Sequence, residues 1–352
     1  MWPVKPTPIG PSSCGVGDFI DGNCRYKLVR KIAEGGMGCV YEAIQYGVEG
    51  FDKRMALKTI LESYTNNYEF VRMFIGEAKL VADLVHENIV QVYQLGRYGR
   101  SYYIAMEYVD GVNLERFIDR HFELKKPLPI ELGAFIVSRV CRGLEYAHNK
   151  LGRDGQPLNI VHRDISPKNV MINFEGVAKL TDFGIAKARQ LMHQKEGEVL
   201  MGKVEYMSPE QASFSQTDRR SDLFSLGIVL YEVLTGQNIF ACEDIYETLE
   251  NVKHKEIPDP RAFRPEIPAE LARICTKALE RDLSKRYQTA GEMGYDLEYY
   301  MYHDRFGPTN VTLSLYVKDL FGVSQGETRP HAGGGSDNVV RRRAETMYRE
   351  LM

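Results

Sequence analysis

His162-Arg163-Asp164-Ile165-Ser166-Pro167-Lys168-Asn169 is followed, thirteen positions after its last residue, by Asp182-Phe183-Gly184. The first run offers a carboxylate that can orient a hydroxyl and an amide that can hold a metal. The second offers another carboxylate for metal. Together they suit phosphoryl transfer, in which catalysis is mostly positioning and charge neutralisation. Either run alone is a weak signal. Both in this order, with suitable partners upstream, are a strong one.

Those partners lie in the first third of the chain. Ala33-Glu34-Gly35-Gly36-Met37-Gly38-Cys39-Val40 sits between two predicted strands. A backbone that closes over phosphates cannot carry bulky side chains, so glycines are expected there. Taken alone, the run is equally well a tight turn. Met55-Ala56-Leu57-Lys58 reads as an apolar strand carrying one lysine, and Glu77 falls in the middle of the next predicted helix. Either residue alone reads as surface charge. A Lys58–Glu77 pair would aim the ammonium at phosphate.

Composition bounds the rest. At 352 residues, 43% hydrophobic and 26% charged, the chain has room for one large domain or two lobes of an ordinary globular protein. A net charge of −3 gives no basis for a nucleic-acid partner. No apolar run reaches the roughly 18 residues of a membrane span. Residues 1–16 lack the apolar core of a signal sequence. Six cysteines without a C-x-x-C pair argue for reduced thiols in a cytoplasmic setting, not zinc or a disulfide frame.

Residues 1–23, rich in Pro, Gly and Ser, read as a flexible segment. Strands are predicted over 26–33, 39–46, 53–61, 89–97 and 101–109, with one helix over 69–84. From Leu114 onward helices dominate, including an amphipathic one over 131–150 and a nearly all-apolar, buried one over 223–236. The expected fold class is α+β. A small sheet-rich lobe (24–109) precedes a larger helical lobe (110–305), with a cleft between them. In the tail, 306–352, Leu313, Tyr316, Val317, Leu320 and Phe321 follow helical spacing, so 311–322 is predicted to be an amphipathic helix. A linker and a short helix at the C-terminus are predicted to follow.

With these residues in hand, the chain resembles the eukaryotic-like (Hanks-type) Ser/Thr protein kinases, in the style of their bacterial members, over about residues 26–303. The carriers are AEGGMGCV, MALK, the Glu77 helix, MEYVDG, HRDISPKN, DFG, SPE at 208–210, DLFSLG at 222–227 and RY at 286–287. The resemblance implies the protein-kinase-like two-lobed fold, ATP, Mg²⁺ and protein substrates. It makes Asp164 the catalytic carboxylate, Asn169 and Asp182 the metal ligands, Lys58 a phosphate ligand and Glu77 its partner. The loop from Ala33 through Gly35, Gly36 and Gly38 would cover the phosphates. Val40, Ala56 and Met171 would sandwich the adenine, with Met106 at the gatekeeper position. The Glu107 carbonyl and Val109 amide would meet the adenine edge, and Asn113 the ribose. Asp222 would brace the catalytic loop, and Glu210 and Arg286 would form a buried ion pair.

The sequence also departs from the family. Where the family carries Lys two residues after the catalytic Asp, this chain has Ser166. Where it carries Thr in the segment before SPE, this chain has Lys203. In the family those positions face each other, so hydroxyl and ammonium would have exchanged places. Lys168, four residues after Asp164, is a rival phosphate donor unless it points to solvent. Residues 185–201 hold no Ser, Thr or Tyr, which excludes activation by phosphorylation within them. Glu196 or Glu198 would supply fixed negative charge there instead. A non-catalytic scaffold that binds ATP and a tyrosine or dual-specificity kinase remain alternatives. The 311–322 helix would dock on the domain or bind a regulatory partner, and docking is favoured because an exposed apolar stripe invites aggregation.

Overall fold

The computed structural model describes residues 16–21, 24–35, 38–60, 67–99, 101–183, 204–303 and 306–323. They form two compact units: one takes the described residues up to Val85 together with 91–108, the other 86–90 and the described residues from Val109 on.

The first unit is an antiparallel sheet. Strands β1 (Phe19–Asp21), β2 (Arg25–Gly35), β3 (Gly38–Tyr46), β4 (Asp52–Ile60), β5 (Val92–Tyr98) and β6 (Ser101–Glu107) pair in the order β1-β2-β3-β4-β6-β5. Alternation along the strands sends Tyr26, Leu28, Tyr41, Ala43, Met55, Leu57, Tyr103 and Ala105 to one face, where they form the core. Tyr26 meets Tyr103 edge-on, with ring centroids 5.6 Å apart. Helix α1 (Tyr68–Ala82) lies against β5 and buries Phe74, Ala78 and Val81 at three-to-four spacing. On the opposite face Glu42 is clamped by Arg30 at 2.7 Å and Arg54 at 2.9 Å. Burial alone would raise the Glu42 pKa, but the two guanidinium groups outweigh it and hold the carboxyl below its usual range.

Two expectations need correction here. Phe19–Asp21 is not part of a flexible leader: it pairs with β2 as an edge strand and buries Ile20. Three residues are too few for a period to show in sequence. The predicted strand over 89–97 begins only at Val92. Ile89 and Val90 instead pair their backbones with Leu180 and belong to the second unit. Their apolar character is equally suited to both, so local pattern could not separate them.

In the second unit, β7 (Gly111–Asn113), β8 (Val170–Asn173) and β9 (Ala178–Leu180) make a small antiparallel sheet. The helices are α2 (Leu114–Glu123), α3 (Ile130–His148), α4 (Pro209–Ala212), α5 (Arg219–Thr235), α6 (Ile245–His254), α7 (Ala269–Ala278), α8 (Ala290–Tyr302) and α9 (Asn310–Leu320). Helix α5 is the hub. Its apolar sequence is buried from Ser221 to Thr235, and it packs on α3 and α7. It stops at Gly236, whose φ of 79° suits a glycine cap. Arg286, with a fully buried side chain, binds Glu210 at 2.7 Å, and Ser221 Oγ donates to the same carboxylate oxygen at 2.7 Å. The tail helix α9 docks within this unit, burying Leu313, Val317 and Leu320. It runs a residue earlier and ends two residues sooner than the spacing predicts. Among the described residues no helix is long and apolar enough to cross a membrane. The described cysteines are free thiols. The expected linker and last helix of the tail lie outside the described residues.

Candidate active site

Strand register assembles the first unit's share of the candidate residues. Residues directly opposite one another share a face, and the paired sets are Ala33–Val40, Val40–Lys58 and Ala56–Met106. Ala33, Val40, Ala56, Lys58 and Met106 therefore line the face opposite the aromatic core. Beside them the β2–β3 hairpin runs in register to Gly35–Gly38. A Cβ on Gly38 would stand 2.0 Å from the Thr59 carbonyl oxygen, so only glycine lets β3 approach β4 that closely. Gly36 lies outside the described residues. Glu77 stands on α1, but its side chain, and with it the expected Lys58–Glu77 pair, also lies outside them. Glu107 ends β6 with its N–H donating to the Gln91 carbonyl at 2.8 Å.

The second unit holds the loop over 162–169, fastened by Asp222 of α5. Both carboxylate oxygens of buried Asp222 accept backbone N–H groups, from His162 at 2.8 Å and Arg163 at 2.7 Å. His148 Nε2 donates to the same carboxylate at 2.8 Å. Burial alone would raise the Asp222 pKa; these donors reverse that, and the carboxyl titrates below its usual range. Burial pushes the His162 pKa below its usual value. Its partners fix the tautomer: Nδ1 accepts the Asp164 N–H at 3.2 Å, and Nε2–H donates to the Thr181 carbonyl at 2.9 Å. The imidazole thus ties the 162–169 loop to the segment after β9 that leads into Asp182. Phe183 packs on the same ring, centroids 4.5 Å apart. Arg163 and Asp182 both have left-handed backbones, with φ of 62° and 61°. Such strain persists only where surrounding contacts enforce it, and it gathers at functional sites.

Asn169 Nδ2 donates to both the Asp164 carbonyl (2.7 Å) and its carboxylate (3.0 Å). These bonds use the amide nitrogen and leave the Asn169 Oδ1 as the oxygen a cation could use. Oxygen donors from Asn169 and Asp182 fit Mg²⁺, which keeps few protein ligands and shares the rest with phosphates. Among the described residues, no group of three or more His, Cys, Asp and Glu could hold a metal by itself.

The other candidates resolve individually. Met171, on β8, pairs with Asn113, the last residue of β7. Asn113 Oδ1 caps α2 by accepting the Arg116 N–H at 2.8 Å, which leaves only its amide nitrogen for a ribose. Val109 follows β6 in a stretch outside any strand. Lys168 is exposed, and its ammonium lies 3.5 Å from Glu115 on α2. Ser166 is 1% exposed, and its hydroxyl has no hydrogen-bond partner among the described residues. Lys203, Glu196 and Glu198 lie outside the described residues.

Sequence reasoning missed three contributors. Arg163 donates from Nε to Thr217 Oγ1 at 3.1 Å, Gln211 Nε2 donates to the Arg163 carbonyl at 2.9 Å, and His148 binds Asp222. The contacts span 48 to 74 residues, and nothing local marks these side chains as partners.

Residues 26–294 match the family model described as "Protein kinase domain". This chain belongs to the protein kinase family. Its relatives include the Tyrosine-protein kinase MasK of Myxococcus xanthus, 40% identical over 302 residues that make up 84% of this chain and 46% of MasK. The Serine/threonine-protein kinase PrkC of Bacillus subtilis is 35% identical over 298 residues, 85% of this chain and 43% of PrkC. The chain thus spans less than half the length of these relatives. The Mycobacterium tuberculosis PknI kinase domain superposes with a TM-score of 0.60 at 26% identity, covering 81% of this chain and 98% of that one. The antiparallel sheet unit and the helical unit are those of the protein-kinase fold, in the bacterial style of the Hanks type.

Proposed function

We propose that this chain is an ATP-dependent protein kinase that transfers the γ-phosphoryl group to Ser and Thr hydroxyls of proteins. The observation that carries this reading is the catalytic loop itself. Asp164 is held by Asn169 on one side and by His162 on the other, over a backbone braced on Asp222. Such pre-set geometry is what phosphoryl transfer requires of a protein.

In this reading the Asp164 carboxylate orients the acceptor hydroxyl and takes its proton. The acceptor oxygen forms the new bond to phosphorus as the bond to the bridging β,γ-oxygen breaks, and ADP leaves. Lys58, supported by Glu77, holds the α- and β-phosphates, beneath the Ala33–Val40 hairpin. The face bearing Val40, Ala56 and Met106, with Met171, takes the adenine, and Glu107 and Val109 take its edge. Asn169 and Asp182 would hold Mg²⁺, which when bound neutralises phosphate charge.

The buried hydroxyl of Ser166, without a described partner, supports its exchange of roles with Lys203. The Glu115 carboxylate beside Lys168 counts against Lys168 as the residue that binds the γ-phosphate. Lys203→Ala is expected to lower kcat by about 100-fold, and Lys168→Ala to leave it nearly unchanged; the reverse result would refute the exchange.

The deciding experiment is phosphoamino-acid analysis after incubation with labelled ATP and Mg²⁺, beside Asp182→Asn. Label on Ser and Thr, lost in the variant, is the expected result. Because one relative carries the name of a tyrosine kinase, label on Tyr would move the acceptor class to tyrosine. ATP binding without any label would leave the scaffold reading.

A further inference from the structure

We infer that α9 is a positioning element for the nucleotide, although it begins sixteen residues after the family match ends. The inference rests on the kinase reading above. Two elements diverge from the β7–β8 seam, where Asn113 pairs with Met171. One is α2, which starts at Leu114. The other is the β8–β9 hairpin, whose turn runs from Phe174 to Val177. Helix α9 spans the far ends of both.

On the α2 side, Tyr316 OH donates to His121 Nε2 at 2.9 Å, because His121 Nδ1–H is directed to the Phe117 carbonyl at 2.7 Å. The Tyr316 and His121 rings stack at 5.7 Å, and Phe117 meets Tyr316 edge-on at 6.1 Å. Arg120 Nε donates to the Leu320 carbonyl at 3.2 Å, at the negative end of α9. On the hairpin side, Ser314 Oγ donates to the Phe174 carbonyl at 2.6 Å. Gly176, with φ of 81°, lies so close that a Cβ would stand 1.9 Å from the Asn310 carbonyl oxygen. Asn310 Nδ2 also reaches Glu87 at 3.3 Å.

Seam, helix and hairpin thus form a frame, and α9 is its closing member. The frame sets the stance of Asn113 and Met171. It bears less directly on Asp164, whose loop has holds outside the frame in His162 and in Asp222 of α5. The brace therefore acts on nucleotide affinity more than on the chemical step.

The test uses the full chain and the variants Tyr316→Phe, Ser314→Ala and their double. Leu315→Ala, on the exposed side of the same helix, is the control. The readouts are Kd for ADP by direct titration, KM for ATP, and kcat. Each lost hydrogen bond is expected to raise Kd and KM together by about fivefold, with kcat and the control unchanged. Unaltered Kd and KM in the double variant, whatever happens to its melting temperature, would reduce α9 to an appendage. A fall in kcat at constant KM would equally overturn the inference. ADP titration needs no turnover, so failure of the wild type to phosphorylate would count against the kinase reading alone.

Discussion

At the residue scale, the second unit concentrates charge where water is absent and satisfies it with fixed partners. Arg286 is the clearest case, because its buried guanidinium is met by Glu210 and by the Arg220 and Glu280 carbonyls. Removing one partner of a buried pair leaves the other charge without compensation. Glu210→Ala is expected to cost about 3–5 kcal/mol in urea unfolding, and replacing both residues with apolar ones to cost much less. Equal losses in the two variants would mean that packing, not charge, sets the effect. The pair was legible in sequence because SPE and RY carry the family pattern. The Lys168–Glu115 contact was not, since an acidic residue at a helix start is ordinary.

At the element scale, glycines mark where segments must nearly touch. Gly176 combines a left-handed φ with a carbonyl oxygen in the place of its missing Cβ. Gly176→Ala is therefore expected to destabilise the chain by at least about 1–3 kcal/mol and to loosen α9. Hydrogen exchange would show faster exchange in 310–320 with little change in α5. Uniform acceleration would mean that α9 does not separate from the rest of its unit. The amphipathic spacing of α9 was plain in the sequence and suggested packing within the chain. Its seat was not, because Tyr316 and His121 are 195 positions apart.

At the scale of the whole molecule, histidines set the response to acid. Burial pushes the pKa values of His86, His121 and His162 down. Each folded-state value thus lies below that of the unfolded chain, about 6.5. Between the two, only the unfolded chain takes up the proton, so stability falls as pH drops through that window. The contribution is complete above about pH 7. The melting temperature is expected to be lower at about pH 5.5 than at about pH 7.5, where most carboxylates remain ionised. His121→Asn should shrink the difference. An unchanged pH dependence would mean that His121 is not kept neutral by its burial between Phe117 and Tyr316.

What the sequence determined by itself was everything carried by local period and ordered motif. The sheet-rich part preceded the helix-rich part, the α5 core helix was continuous, and the motifs holding Asp164, Asn169 and Asp182 stood in a fixed order along the chain. These are properties of neighbours along the chain, where side-chain alternation and backbone preference act. Tertiary structure alone decided the rest. It assigned Ile89 and Val90 to the second unit, buried Ser166, turned Lys168 toward Glu115, tied Arg163 to Thr217, and set α9 across α2 and the β8–β9 turn. Each of these depends on which distant surface a side chain meets. That choice is made by total burial and by pairing of polar groups across the fold, and no local window of sequence contains it.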